Sequence, residues 1–435
     1  MGVSWYEPLA PRIDWATYTW CESAALAGCF RRLFVRFVFV AYPIQERLRE
    51  FKKMAIRRRD FLVASLASTV AGRMGIFGSM LSQAHPDGAS SQPITAVKAG
   101  TPVRFPDNQG DTWVAAWAED DNLYSPSDDT SGFRKGCNAN VAFNRIKGSD
   151  ALHLEGTTIN AMLDYGLQSQ HGADACTWKS SGCIWIDGAI YLVVARHLYG
   201  EDSGDLYRRQ TAQNASIIKS TDFGKSWART SQQNYDNPMF PGRRFATPYF
   251  IQYGYGHGEA AVDNANEYVY ATSNNGFWDC GDDMVLGRVA RSKIGLLNGN
   301  DWEFYKGGDG MKASAWSSNM SEAKQILQAA GRFGMTGAVY LPAQRRYFMI
   351  GWYYPAGGGK MPGAGTHTVW DFYESPRPWG PWTRIGSYDS TPAGLYSPEV
   401  CPKFQDRNRV FAITAGYWGS QEDYRMTMVP LELDT

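Results

Sequence analysis

Apolar residues recur along the chain in short runs rich in β-branched and aromatic side chains, with Gly, Asn and Asp between them. Such runs occupy 113–124, 183–195, 216–220, 268–273, 285–291, 338–352 and 410–416. Runs of this length bounded by turn residues predict strands. In Trp185-Ile186-Asp187-Gly188-Ala189-Ile190-Tyr191 the Asp-Gly pair supplies the left-handed backbone that a two-residue hairpin requires. Only 320–330 carries helical spacing. The pattern therefore predicts an all-β protein. No Pro- or Ser-rich linker divides the chain after residue 100, which favours one domain over a sandwich with an added domain. Four-stranded blades with long loops fit a β-propeller: about 70 residues per blade gives five blades, and about 58 gives six. Five is the expectation.

The first 84 residues depart from this pattern. Arg57, Arg58 and Arg59 precede Asp60-Phe61-Leu62, and an apolar, small-residue run follows as far as Leu81. A twin arginine ahead of such a run predicts an export signal of the twin-arginine type. Arg73 interrupts the run, which falls short of the roughly 20 residues a membrane span needs. Met54 stands where such a signal begins, so 1–53 read as an unassigned upstream extension, 54–84 as the signal and 85–435 as the propeller. Cleavage is expected after Ala84, with Ala71 as a second site. The expected partner in export is the twin-arginine translocase, and the expected destination is periplasmic or extracellular, with no stable membrane span left in the mature chain.

Composition narrows the function. The 435 residues carry 43 Lys plus Arg and 43 Asp plus Glu, a balance that argues against a nucleic-acid binder. The part after residue 84 is mildly acidic. An excess of aromatics, 16 Trp and 24 Tyr, suits either sugar-binding surfaces or a β core. Five cysteines follow the signal, and the closest two, Cys176 and Cys183, are a candidate disulfide in an oxidising compartment. Their spacing matches no zinc site.

Candidate chemistry concentrates in 111–129, where Asp111, Glu119, Asp120, Asp121, Asp128 and Asp129 put six carboxylates around one hairpin. With the turn at 120–122, Asp111 and Asp129 fall toward the same end of the strand pair. Two carboxylates brought together across a sugar ring are what glycoside hydrolysis needs, one to protonate the leaving oxygen and one to attack carbon or activate water. The alternative is that they cap turns and face water. Arg196 and His197 end a strand and are candidates for binding sugar hydroxyls. His257 and Glu259 lie on a Gly-rich loop, and Trp113 and Trp278 are candidate sugar platforms. Trp278 with Asp279, Asp282 and Asp283 is also a weak Ca²⁺ candidate, without the spacing of a known calcium loop. No cofactor is required by this chemistry.

Ser220, Asp222, Gly224, Ser226 and Trp227 fit Ser-x-Asp-x-Gly-x-Ser/Thr-Trp, which resembles the structural Asp-box of sialidases and other propellers. A wider resemblance covers most of 100–420. The stretches that carry it are the Asp111 to Thr130 block, Thr247-Pro248-Tyr249-Phe250-Ile251-Gln252-Tyr253-Gly254, Leu286-Gly287-Arg288-Val289 with Trp302-Glu303-Phe304-Tyr305, Arg346-Tyr347-Phe348, and Ser375-Pro376-Arg377-Pro378-Trp379-Gly380-Pro381-Trp382. On these the chain resembles a bacterial family of exported five-bladed propellers, long catalogued as a domain of unknown function, that includes endo-D-arabinanases. The resemblance implies an exported glycoside hydrolase acting on a polysaccharide, arabinan-type first, with Asp111 and Asp129 as its catalytic carboxylates; a monomer is the expectation. Asp128 stands where the family usually has Gly, so either neighbour is a candidate. The alternatives are a non-catalytic glycan-binding propeller and a sialidase-type exo-glycosidase, which would gather arginines such as Arg196, Arg288 and Arg346 around a carboxylate.

Overall fold

The computed structural model describes residues 91–199, 210–229, 237–258, 262–355 and 364–435. The expected export signal and the extension before it lie outside the described residues, as does Glu259.

Five antiparallel sheets follow one another along the chain as the blades of a propeller. Blade 1 holds Asn108–Asp111, Leu123–Phe133, Ala139–Asp150 and His153–Asn160, with Ala116–Trp117 prolonging its inner edge. Blade 2 holds Thr177–Ile186, Ala189–Leu198 and Thr211–Ser220. Blade 3 runs from Tyr249–Phe250 through Tyr268–Asn274 and Gly281–Ala290 to Trp302–Tyr305 and Trp316–Ser317, with Gln325–Phe333 added beside Gly281–Ala290. Blade 4 holds Ala338–Leu341, Arg346–Tyr353, Val369–Ser375 and Thr383–Asp389. Blade 5 holds Tyr396–Val400, Arg409–Ala415 and Met426–Asp434, and Ala96–Ala99 completes it from the other end of the chain, Ala96 opposite Asp434. That pairing closes the ring.

Strand periodicity builds the spaces between blades. In Ala189–Leu198, Ile190, Leu192 and Val194 pack toward blade 1 with Trp185 and Phe143, whereas Tyr191, Val193 and Ala195 pack toward blade 3 with Phe245, Phe250 and Val269. Successive side chains point to opposite faces, so a strand buried on both faces reads as one continuous apolar run. Blade 4 repeats the arrangement: Tyr347 and Met349 meet blade 3, and Phe348, Ile350 and Trp352 meet blade 5. Each fully buried Val, Ile, Leu or Phe contributes about 1.5–3 kcal/mol. The Asp187-Gly188 hairpin forms as its dipeptide predicts, with φ of 49° and 79° and Ile186 opposite Ala189.

At the turn after Ser220, Gly224 N–H donates to Ser220 Oγ at 2.8 Å and Ser226 N–H to Asp222 Oδ1 at 2.9 Å. Trp227 lies edge-on to Phe143 of blade 1, ring centroids 4.9 Å apart.

Two expectations are corrected. Residues 320–330 are not a helix: one 3-10 turn, Met320–Glu322, leads into the strand Gln325–Phe333, which finds its hydrogen-bond partners along Gly281–Ala290. Tertiary pairing overrides local spacing here. Cys176 and Cys183 are both free, as are the other three described cysteines. Cys176 directly precedes the strand that contains Cys183. Seven extended residues separate two such Cα atoms by roughly 23 Å, and a disulfide allows at most about 7 Å.

Candidate active site

The inner strands come so close around the axis that a Cβ on Gly182 of blade 2 would lie 2.5 Å from Pro248 O and 2.8 Å from Tyr249 Cα. At one end of this axis they leave a cavity of about 210 Å³. Asp111, Asp129 and Lys179 form its polar wall with Tyr199, Tyr396 and Tyr424, and Trp278, Trp352, Tyr354 and Trp418 form the aromatic side. Gln210 and Asp279 complete the lining. Trp418 is 48% exposed at the mouth, where a flat ring can receive a sugar face.

Asp111 ends the inner strand of blade 1 and pairs across the ladder with Asp128. Adjacent strand residues face opposite ways, which separates the fates of Asp128 and Asp129. Asp128 is wholly buried and turned toward blade 2, its Oδ2 accepting from Ser180 N–H at 2.9 Å and its Oδ1 from Ser180 Oγ at 2.8 Å. Asp129, held with a left-handed backbone (φ 42°), lines the cavity. Its Oδ2 accepts from Tyr199 OH at 2.5 Å and forms an ion pair with Lys179. Its Oδ1 is buried without a hydrogen-bond partner. Asp111 accepts from Tyr396 OH at 2.7 Å and from Thr112 Oγ1 at 3.1 Å. Tyr424 OH donates to the backbone oxygens of Asp128 and Asp129 at 3.3 Å.

These surroundings move the carboxyls apart. Burial raises Asp111, with the charge of Asp129 adding to it, and Lys179 offsets only part. Burial also acts on Asp129, but the Lys179 charge and the hydrogen bonds from Lys179 and Tyr199 outweigh it and hold that carboxyl below its ordinary value. Asp128 is pushed well up by burial, despite Lys179 and Ser180. Lys179 stays an ammonium: burial disfavours the charge, but Asp129, Asp111 and Asp128 around it more than compensate. The surroundings thus drive the two carboxyls of one cavity in opposite directions, the direction of change that general acid catalysis beside a nucleophile or base requires.

The remaining sequence candidates lie elsewhere, except Trp278 and Asp279. Trp113 is in the core, its Nε1 donating to Gly110 O at 2.9 Å and its ring edge-on to Phe133. Arg196 is buried between Asp174, Cys176 O and the Trp178 ring. His197 lies behind the wall, with Nε2 2.7 Å from Gln210 Oε1 and its ring against Tyr199 and Trp278. His257 is buried against Tyr253, and burial lowers its imidazolium to about 4. Arg288 pairs with Glu303 and Arg346 with Glu374, so the three arginines named for a sialidase-type site answer to separate carboxylates away from the cavity. The calcium candidates diverge: Asp279 lines the cavity, Asp282 accepts from Asn275 and Gly331 N–H, and Asp283 pairs with Arg244 and Gln325. Among the described residues no group of three or more His, Cys, Asp or Glu is arranged to hold a metal ion.

Sequence reading missed Lys179, Tyr199, Tyr354, Tyr396, Trp418 and Tyr424. Lys179 left one signal, a lone cation in the strand Thr177–Ile186 that is otherwise apolar or small. A further buried acid, Glu399 on the inner strand of blade 5, accepts from Gly337 N–H at 3.1 Å, and burial pushes its carboxyl up to about 8.

No protein-family model matches the chain, and no curated protein matches it. Among solved structures the chain is similar to the GH43B protein of a Bacteroides ovatus xyloglucan PUL (12% identity, 77% of this chain and 54% of that one, TM-score 0.42). It is also similar to a xylan β-1,4-xylosidase of Bacillus halodurans (10%, 76% and 54%, 0.40) and to an α-L-arabinanase of Penicillium chrysogenum (10%, 77% and 98%, 0.38). The chain spans about half the length of the first two. The five-bladed arrangement rests on the strand pairings themselves.

Proposed function

We propose that the protein is an exported glycoside hydrolase that cleaves a polysaccharide within the central cavity, which residues of all five blades line. The observation that carries the reading is that Asp111 and Asp129 line one aromatic-walled cavity while their surroundings drive their proton affinities in opposite directions. Asp111, neutral, delivers its proton to the glycosidic oxygen as the bond to the anomeric carbon breaks. Asp129, ionised, attacks that carbon or draws a proton from the attacking water. Overall, water adds hydrogen to the leaving oxygen and hydroxyl to the anomeric carbon, and Asp111 regains its proton. Tyr199 and Lys179 keep Asp129 ionised and oriented, and Trp278 and Trp418 provide faces for sugar rings.

The resemblance of 100–420 to the arabinanase-containing propeller family puts arabinan-type glycans first among substrates. Export is proposed on the twin-arginine segment alone. The test is product release from arabinans, arabinogalactans, xylans and other polysaccharides, followed by chromatography. Oligosaccharides released from one polymer class are the expected result. A folded protein that retains a glycan in a pull-down but releases nothing from any polymer would overturn catalysis and leave a binding module.

A further inference from the structure

Beside the cavity, between blade 1 and the loop that precedes Met426–Asp434, lies a second recess of about 470 Å³ with a different lining. It has no aromatic wall. Three cations, Arg134, Lys135 and Arg425, face the single carboxylate of Asp107, and Gln109, Ser131 and Gln421 supply neutral hydrogen-bonding groups. The same chain segments continue into the cavity: Gln109 precedes Asp111 by two residues, Ser131 follows Asp129 by two, and Arg425 follows Tyr424. Backbone and side-chain bonds fasten these segments together, with Gly110 N–H donating to Tyr424 O at 3.4 Å, Met426 N–H to Asn108 Oδ1 at 2.8 Å and Arg134 N–H to Asp107 O at 2.5 Å. A polymer seated in the cavity therefore has this recess as its neighbour.

Two features bear on these cations. Among the described residues none of Arg134, Lys135 and Arg425 forms an ion pair, so no carboxylate of the fold neutralises them. Asp423 nearby is taken by Arg104 at 2.9 Å. In addition, Arg134 and Lys135 hold consecutive left-handed backbones, φ 54° and 55°, beside Asp107 at 61°. Gly or Asn would adopt those angles at lower cost.

Resting on the reading of the cavity as a glycan site, we propose that this recess is a subsite for an anionic group carried by the substrate. A planar guanidinium binds a carboxylate or a phosphate through paired N–H bonds, and Lys adds a point charge. The ligand class is an acidic glycan, its charge either a uronate carboxylate or a phosphate ester. The balance of charge over the whole chain hides this local excess.

The test uses the Asp129→Asn protein, which leaves the recess intact, in calorimetric titrations with trigalacturonate against neutral arabinotriose and with mannose 6-phosphate against mannose. At least one anionic probe is expected to bind about tenfold or more tightly than its neutral counterpart. Added salt should weaken that advantage, and it should vanish in the further variant carrying Arg134→Gln, Lys135→Gln and Arg425→Gln. The exposed single change Lys135→Glu, checked for folding by circular dichroism, is expected to reduce it in part. Which probe responds identifies the carboxylate or the phosphate. No preference for either anion, or a preference that survives the triple change, would overturn the subsite. Failure of the hydrolase reading is distinguishable, since it would appear as no product from any polymer with the wild-type protein while the anion preference persisted.

Discussion

Asp128 and Asp129 are neighbours with the same side chain and different surroundings, because strand alternation turns one to Ser180 and the other to the cavity. The acid density of 111–129 marked the hairpin, and the family resemblance singled out Asp111 and Asp129, both of which line the cavity. Which neighbour faces the cavity was not legible in the sequence, since the deciding partner, Ser180, comes from another blade. Lys179, Tyr396 and Tyr424 were hidden for the same reason: they converge from blades 2 and 5, and no local pattern records that meeting. Lys179 governs the pH dependence expected here. Asp129 must be ionised and Asp111 protonated, so activity should rise through the lowered Asp129 titration and fall through the raised Asp111 titration, the two behaving as a coupled pair. Lys179→Met removes the cation that lowers both. The whole bell in kcat/KM should then move to higher pH, and stability should fall by roughly 3 kcal/mol as a buried ion pair is broken. An unmoved profile would show that Lys179 does not set these protonation states.

At the scale of elements, the Asp187-Gly188 hairpin was readable because its geometry depends only on two adjacent residues. The strand Gln325–Phe333 was not, because its partners lie about forty residues earlier, along Gly281–Ala290. The inner strand Tyr396–Val400 carries a stability prediction through Glu399, whose carboxyl is raised to about 8 by burial. Between its ordinary value and about 8 the folded state keeps a proton that the unfolded chain releases, so stability falls as pH rises, by about 1.4 kcal/mol per unit. Glu399→Gln has nearly the shape of the neutral acid and no such slope. Its melting temperature should exceed the wild type's increasingly from about pH 5 to about pH 8. A variant less stable than the wild type at the upper end would contradict the assignment of a neutral buried acid.

For the molecule as a whole, the all-β class and the number of blades followed from run spacing and length. The closure did not, because Ala96–Ala99 and Met426–Asp434 stand at opposite ends of the propeller sequence. That pairing supplies the outer strand of blade 5 and holds the last blade to the first. Gly100 N–H donates to Pro430 O at 2.8 Å, and antiparallel alternation in a register that sets Lys98 opposite Glu432 makes Lys98 the neighbouring donor. Lys98→Pro removes that donor and is expected to cost about 2–3 kcal/mol. A lower melting temperature and faster amide exchange along 426–434 should accompany it, and unchanged values of both would show that the ring holds without this strand.

The most direct test of the central claim sets Asp129→Asn beside Asp128→Asn on the polymer that the wild-type protein cleaves best. Both substitutions keep shape, and Ser180 Oγ can turn from donor to acceptor to satisfy an amide at 128. The expected result is turnover reduced by at least about a thousandfold in Asp129→Asn and largely kept in Asp128→Asn, with both proteins folded. Turnover retained by Asp129→Asn, or lost equally in both, would contradict the assignment of Asp129 as the reactive carboxylate.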